Sequence, residues 1–506
     1  MTFAPAKQIL TQKNTSFFSL GIFFNIMIDA QIFSIAQLES NCVAKNTKHQ
    51  YHSTNFHFVL WLHEHHPDYV KVAVREAITT IKEATAHLPL SKQDAQLRRL
   101  IVDGYLAKVI KNEDEYMPIY LYMFVDYKLF AEYIAQKRKT VDGIQKFLSI
   151  NSYTSIRSSI VHLFKMSTHS LPPDFNSAMG QFLQGMKRTI VTHKVEQGES
   201  MDEGKEVMSL DCLKLLCKKF AEGENAEYHF GWVFLLLEWN LMARSDNIVQ
   251  LHINDLTWKD DAIIMYMKKT KTDQLGDNRK VPHHVFFNSV DPYLNVGLAL
   301  GMYLLTNPKI LSDVNSQLFP GSNQYHRYAT ILKKVIAENS EEFLAIGVKP
   351  EDIGTHSARK GAATLAASGC TVSPSMAAIC NRAGWKLGGS RDKYIKYESA
   401  GDQFLGRTVC GLDSTGMEFS VSPPFFDMTA EELMSLDRFL MDTVPGGKQV
   451  GHIAFEVFRW CFCCVLHEYD WWNRECDGQQ RIFGIAAITH LDVSFLICFY
   501  FILILY

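Results

Sequence analysis

The chain has 506 residues, enough for about three domains at the usual ~100–200 residues each. An apolar content of 47% with 21% charged residues is that of a globular protein and argues against a disordered or low-complexity chain. The formal charge of -3 carries no global sign of a nucleic-acid partner, so any surface for a polyanion has to be local.

Residues 1–80 show short apolar bursts separated by Asn, Gln and His. The stretch from Phe17 to Ala36 is broken by Asn25, Asp29 and Gln31 and makes a weak secretory signal. From about 85 to 200 the pattern is helical. Asp94 to Ile110 carries one apolar stripe, and Met117 to Ile134 repeats it with aromatics, Pro118 being tolerated in a first turn. Tyr153 to Phe164 places Ile156, Ile160 and Leu163 or Phe164 at helical spacing, which predicts a helical bundle. Val191 to Val207 is polar and rich in Glu, Gly and Lys, so a linker and a domain boundary are expected there.

Helices are predicted at about 207–220 and 228–243; Phe230, Val233, Phe234, Leu237 and Leu241 of the second form a broad apolar face that belongs to a core. After Arg244 the period changes. Leu256 to Trp258 and Ala262 to Met267 read as strands around the turn Lys259-Asp260-Asp261, and Arg279 to Val285 adds a third. Helices resume at Pro292 to Leu305 and Tyr328 to Ala337. Gly369 is a helix stop, and Ser373-Pro374 reads as the cap and first position of the next helix. The expected fold is mainly α with a small antiparallel β-sheet.

Eleven cysteines lie without regular pattern, as in a reducing compartment. The tail group Cys461, Cys463, Cys464, His467 and Cys476 lacks the spacing of paired Cys-x-x-Cys knuckles, so free thiols are expected there rather than a metal. Val493 to Tyr506 is almost wholly apolar but reaches membrane-spanning length only by extension back to Phe483 through His490 and Asp492. A tail anchor, a buried segment and an unnatural chain end remain alternatives.

The chemistry sits in Gly354-Thr355-His356-Ser357-Ala358-Arg359. With Thr355 as a helix cap, His356 and Arg359 fall on one face of the first turn, and small residues at 358 and 361–363 allow close helix approach. Arginine suits phosphate because its planar fork donates two hydrogen bonds and keeps its charge. This stretch resembles the His-x-x-Arg box of the tyrosine recombinase/phage integrase family, and the family's other boxes are matched in order. Arg244 follows an apolar helix and precedes Ser245-Asp246-Asn247-Ile248, where many relatives have an acid in place of Asn247. Lys271 stands in a Lys269-Thr270-Lys271 hairpin stretch, with Lys268 and Lys269 as competitors. Trp385 follows Gly384, and Tyr394 lies nine residues beyond it, with Tyr397 as its competitor.

The resemblance implies a catalytic domain at 207–405 with the tyrosine recombinase fold, preceded by a helical DNA-clamping region at 85–200 that is strongest over 115–195. Residues 1–84 and 406–506 are extensions of unassigned role. It implies a site-specific recombinase or integrase: Tyr394 as nucleophile forming a 3′-phosphotyrosyl link, Arg244, His356 and Arg359 on the phosphate, Lys271 on the leaving oxygen, and Trp385 holding the site. No metal, ATP or other cofactor is implied. Double-stranded DNA is the implied partner, with four protomers on paired sites. A longer Arg359 to Trp385 spacing and atypical flanks resemble eukaryotic mobile-element members of the Crypton or DIRS-like kind, which implies a nuclear place of action for a eukaryotic chain and a cytoplasmic one with DNA otherwise. The rival readings are a recombinase-derived binder without activity and a type IB topoisomerase-like nicking-resealing enzyme. Seven basic residues against one acid between Gly354 and Tyr397 point to a DNA-facing stripe; its expected contacts are Lys269, Lys360, Arg382, Lys386, Arg391 and Lys393.

Overall fold

Phe56, Phe58, Val59, Trp61 and Leu62 crowd one part of helix α1 (Lys45–His65) and are all buried, so part of the expected N-terminal extension supplies core side chains. The computed structural model describes residues 42–141, 143–198, 204–267, 281–313, 315–369, 371–389, 395–449, 451–475 and 488. The chain divides into two units, Met1–Glu203 and Gly204–Tyr506. In the first, α1 is followed by α2 (Val72–Ala84), α3 (Leu90–Arg98), α4 (Lys128–Gln136), strands β1 (Arg138–Val141) and β2 (Ile144–Phe147), α5 (Ile150–Met166) and α6 (Phe175–Glu196). Their apolar faces close on one aromatic core, in which the Phe58 ring lies 4.9 Å from Tyr133 and 5.6 Å from Phe130.

Two predicted helices of this unit are shorter than expected. The Asp94 stripe ends as α-helix at Arg98, where a wider π-turn takes over at Arg99–Asp103. Met117 to Ile134 is α-helical only from Lys128. Ahead of it, the Pro118 carbonyl accepts from Lys71 N at 3.0 Å and Tyr120 N donates to the Tyr69 carbonyl at 2.8 Å. Those long-range bonds hold 118–120 extended, and the apolar spacing there records tertiary burial rather than a helix. Conversely, α6 runs on to Glu196, into the stretch read as linker.

The second unit is mainly helical around a small antiparallel sheet. Ser209 caps α7 (Leu210–Ala221) and Asn225 caps α8 (Ala226–Asn240), every residue of which from His229 onward is buried. After α9 (Ser245–Val249) come β3 (Leu256–Lys259), β4 (Ala262–Tyr266) and β5 (Pro282–Phe286), ordered β3-β4-β5 with Trp258 opposite Ile263 and Ile263 opposite Val285. Helices α10 (Val296–Thr306), α11 (Gln324–Glu338), α12 (Ser340–Ala345), α13 (Ser357–Ser368), α14 (Met376–Ala383) and α15 (Ser399–Val409) follow. Ser375, not Ser373, caps α14, accepting from Ala378 N at 3.2 Å.

Part of the expected C-terminal extension belongs to the same core. It forms α16 (Ala430–Thr443), α17 (His452–His467) and α18 (Tyr469–Glu475). Trp460 stacks on Trp258 at 4.2 Å and Trp472 on Trp232 at 5.7 Å. Gly301 of α10 admits α17 so closely that a Cβ there would come within 2.7 Å of the Cys461 carbonyl. Cys461, Cys463 and Cys464 are buried in this packing, and burial pushes their thiols above the usual range. No helix among the described residues is long and apolar enough to cross a membrane; Val493 to Tyr506 lies outside them.

Candidate active site

The sharp turn ahead of α13 is closed by Ser357 and Gly354. Ser357 N donates to the Gly354 carbonyl at 2.9 Å while Gly354 N donates to Ser357 Oγ at 3.1 Å. The N-cap position of α13 falls to His356 without a side-chain cap bond, not to Thr355, whose hydroxyl instead pairs with Tyr325 Oη at 3.3 Å. His356 occupies the N-cap position and is exposed. Ala358, Gly361, Ala362 and Ala363 are buried as their size allows; a Cβ on Gly361 would meet the Met208 carbonyl and the Trp239 ring.

Arg359 is only 9% exposed and its guanidinium bridges two loops. Nη1 donates to the Met242 carbonyl at 2.8 Å, and Nη2 donates to the Ala383 carbonyl. Met242 takes a left-handed φ of 46°, a conformation costing a non-glycine residue on the order of 1–3 kcal/mol, and its carbonyl receives the arginine. Gly384 ends α14 with a φ of 64°, and Trp385, 42% exposed, lies with its ring 5.6 Å from the Arg359 guanidinium.

Arg244 caps α9 from the same Met242 loop and is half-buried. Its carbonyl accepts from Asn247 N at 2.8 Å, but its guanidinium has no ion-pair or hydrogen-bond partner among the described residues, so it is not the helix-end arginine paired with a local Asp that its sequence neighbours permit. It lies near enough to Arg359 to repel it. Burial, then the charge of Arg244, lowers the Arg359 guanidinium to about 10, with Glu238 acting in the opposite direction. Arg359 therefore stays charged at neutral pH, and two like charges are held together.

Glu238, which sequence reasoning passed over as part of an apolar helix, is fully buried near this pair. Its Oε1 accepts from Ser245 Oγ at 2.5 Å. Burial raises its carboxyl to about 8 against an ordinary 4.5, with Ser245, Tyr328 and Arg359 acting in the opposite direction. The signal was a lone acid within Phe234-Leu235-Leu236-Leu237-Glu238-Trp239. Between about pH 4.5 and pH 8 the folded protein holds a proton that the unfolded chain has released, so stability falls as pH rises through that window. Glu238→Gln is expected to flatten this dependence, leaving the variant more stable than wild type near pH 8 by on the order of a few kcal/mol. Thermal midpoints of the two proteins across that range test it; parallel curves would show that Glu238 carries no such proton.

The basic stripe needs correction at Arg382. Its side chain is 0% exposed and forms a salt bridge to Asp402 at 2.8 Å, so it is placed to hold the fold rather than to face DNA. The reason is the tertiary setting of α14, whose last turn packs beneath β5 and α15. Lys360 and Lys386 are exposed, and Lys360 Nζ also donates to the Lys205 carbonyl. Lys271 and Tyr394, with Lys269, Arg391 and Lys393, lie outside the described residues. The structure thus brings together Arg244, Arg359 and Trp385 next to the helix turn that carries His356.

No protein-family profile and no curated protein matches the chain. Among solved structures it is similar to the XerH site-specific recombinase bound to difH substrate in a pre-cleavage complex, at 13% identity and a TM-score of 0.35, covering 70% of this chain and 94% of that one. It is also similar to FLP recombinase in a Holliday junction complex, at 14% identity and a TM-score of 0.33, covering 66% of this chain and 86% of that one.

Proposed function

We propose that this chain is a DNA strand-cleaving and rejoining enzyme of the tyrosine recombinase type. The observation that carries the reading is the pair Arg244 and Arg359, held close with like charge, Arg359 fixed by two backbone carbonyls and Arg244 without a counter-ion among the described residues. Holding two guanidiniums together costs free energy that a bound anion returns, and a phosphodiester gains negative charge on its non-bridging oxygens as it reacts. Two of the five Arg359 donors are committed to the protein, which leaves three for those oxygens.

In this reading Tyr394 Oη attacks phosphorus, the bond to the 5′-oxygen breaks, and Lys271 gives that oxygen its proton. His356 hydrogen-bonds to the phosphate and helps take the tyrosine proton. The product is a 3′-phosphotyrosyl link with a free 5′-hydroxyl, and the reverse attack rejoins the strand without ATP or metal. Trp385 packs against Arg359 and supplies one indole N–H. Tyr394 is preferred over Tyr397 for its nine-residue spacing from Trp385; at Tyr397 burial, and then the charge of Asp402, raises the phenol to about 12. Recombination through four protomers on paired duplexes, as in a mobile-element enzyme of the nucleus, is the fuller form of the proposal.

Purified protein incubated with a suicide duplex carrying a nick tests it. Wild type is expected to trap DNA covalently and Tyr394→Phe to trap none, while Tyr397→Phe keeps trapping. Duplex binding with no trapping on any substrate would instead favour a binder without activity, and relaxation of supercoiled DNA by monomers without junction formation would favour a nicking-resealing enzyme.

A further inference from the structure

The turn from α8 into α9, Leu241 to Arg244, is tied down on both sides of the arginine it carries. Ahead of Arg244, Ala243 N donates to the Glu238 carbonyl at 3.1 Å; after it, Ser245 Oγ donates to Glu238 Oε1 at 2.5 Å. A further tie comes from Arg359, whose Nη1 donates to the Met242 carbonyl at 2.8 Å. Met242 takes its left-handed φ of 46° inside this turn, so the ties act against backbone strain. The Glu238 carboxyl thus holds the residue next to Arg244 to the helix that precedes it.

Stability does not account for a carboxyl at this place. Glu238 is fully buried, and its Oε2 has no partner within hydrogen-bond distance. Tyr328 Oη of α11 acts on the carboxyl but is likewise buried and beyond hydrogen-bond distance of any partner, its ring stacked at 4.2 Å on Phe234, one turn back on α8. An apolar side chain of similar size would fill the space without stranding two polar atoms. The groups acting on the carboxyl are Ser245 of α9, Tyr328 of α11 and Arg359 of α13, while Cys217 of α7 acts on Tyr328. On the other helices packed against α8, Tyr303 of α10 donates to the Leu318 carbonyl, and Asp402 and Arg407 of α15 pair with Arg382 and Asp261.

We propose that Glu238 is a positioning residue for strand cleavage: through Ser245 its carboxyl fixes the turn that carries Arg244 and keeps that arginine beside Arg359. This rests on the reading of the arginine pair as a phosphate site. A neutral carboxyl suits the task, because it accepts from Ser245 without cancelling the charge of either arginine. Burial raises Glu238 to about 8, so it keeps its proton at neutral pH. Above that value a carboxylate forms near Arg359 and competes with the phosphate for its charge.

Covalent trapping on the nicked suicide duplex, with duplex affinity and thermal midpoint measured alongside on the full chain, tests this. Ser245→Ala and Glu238→Met are each expected to slow trapping by roughly ten- to a hundredfold while duplex affinity and midpoint are kept. The double variant should be no slower than the slower single one, since both cut the same tie. Glu238→Gln keeps the acceptor and should restore most of the rate near pH 7, and its rate relative to wild type should climb as pH rises through about 8. Trapping by Ser245→Ala at the wild-type rate would overturn the role, and it decides the matter where Glu238→Met does not fold. A loss that merely follows the folded fraction, or a Glu238→Gln as slow as Glu238→Met, would overturn it too. Binding of inorganic phosphate, read from arginine Nε–H signals by NMR, separates this from the enzyme reading. If wild type traps no DNA, a phosphate response that Ser245→Ala weakens keeps the positioning role and drops the enzyme; a response that Ser245→Ala leaves unchanged drops both.

Discussion

Arg382→Ala is expected to unfold the second unit or leave it barely stable. The guanidinium spends its donors on four acceptors: Nε on Asp402 Oδ1 at 2.9 Å, Nη1 on the Asn240 carbonyl at 2.9 Å, and Nη2 on the His284 and Asp402 carbonyls at 2.9 and 3.0 Å. Asp402 also accepts from His284 N at 2.8 Å and lies 2.9 Å from His284 Nδ1. Burial alone would raise the Asp402 carboxyl, but the charge of Arg382 and hydrogen bonds from both histidines and Arg382 hold it well below the usual carboxylate range. Removing the arginine leaves a buried charge without its cation and takes a donor from three carbonyls, a loss of about 3–5 kcal/mol. Total stability for such a unit is only about 5–15 kcal/mol.

Denaturant or thermal unfolding of the second unit reads this directly. The double change Arg382→Met/Asp402→Leu is expected to be less destabilising than Arg382→Ala, because it removes both charges and fills the space. If Arg382→Ala kept the wild-type midpoint and lost only DNA affinity, the side chain would have to reach the surface, and the buried keystone would be wrong. The same pair has a pH signature. Because the Asp402 carboxyl is depressed, its contribution is present above an ordinary carboxylate pKa and is lost as pH falls through the lower folded value.

How much of this was legible beforehand varies with the physical cause. The β3-β4-β5 sheet followed from short apolar runs around a charged turn, and local chemistry decides such hairpins. Gly361 signalled close helix approach because only a missing Cβ fits against Met208 and Trp239. By contrast, the β1–β2 hairpin went unseen: its strands are exposed and charged, so no apolar alternation marks them. The Met117 segment misled in the opposite way, since its apolar spacing serves contacts to 69–71. Charge counting treated Arg382 and Lys386 alike although one is sealed in the core and the other is exposed. Glu238 was hidden by its apolar neighbours, although an acid in such a run has to be protonated, paired or hydrogen-bonded to stay.

Arg359→Lys is expected to leave the second unit folded and to reduce covalent trapping by roughly 10²–10³-fold, the usual cost of removing one transition-state donor. The two substituents keep the same charge, so the comparison isolates geometry. The arginine spans from the Met242 carbonyl to the Ala383 carbonyl with its plane fixed, and three remaining donors are held in a known direction. A lysine ammonium has three donors in all. If it satisfies the Met242 carbonyl, it abandons that of Ala383 and loosens the turn that sets Trp385 beside it. It also brings its point charge to a different distance from Arg244, so the repulsion that a phosphate relieves is no longer focused between two forks. Duplex affinity should change little, since most of it comes from phosphate contacts elsewhere. The readout is therefore the ratio of trapping rate to duplex affinity. A lysine variant that traps DNA at the wild-type rate would show that Arg359 supplies only charge, and would move the search for the transition-state donor to Arg244 and His356.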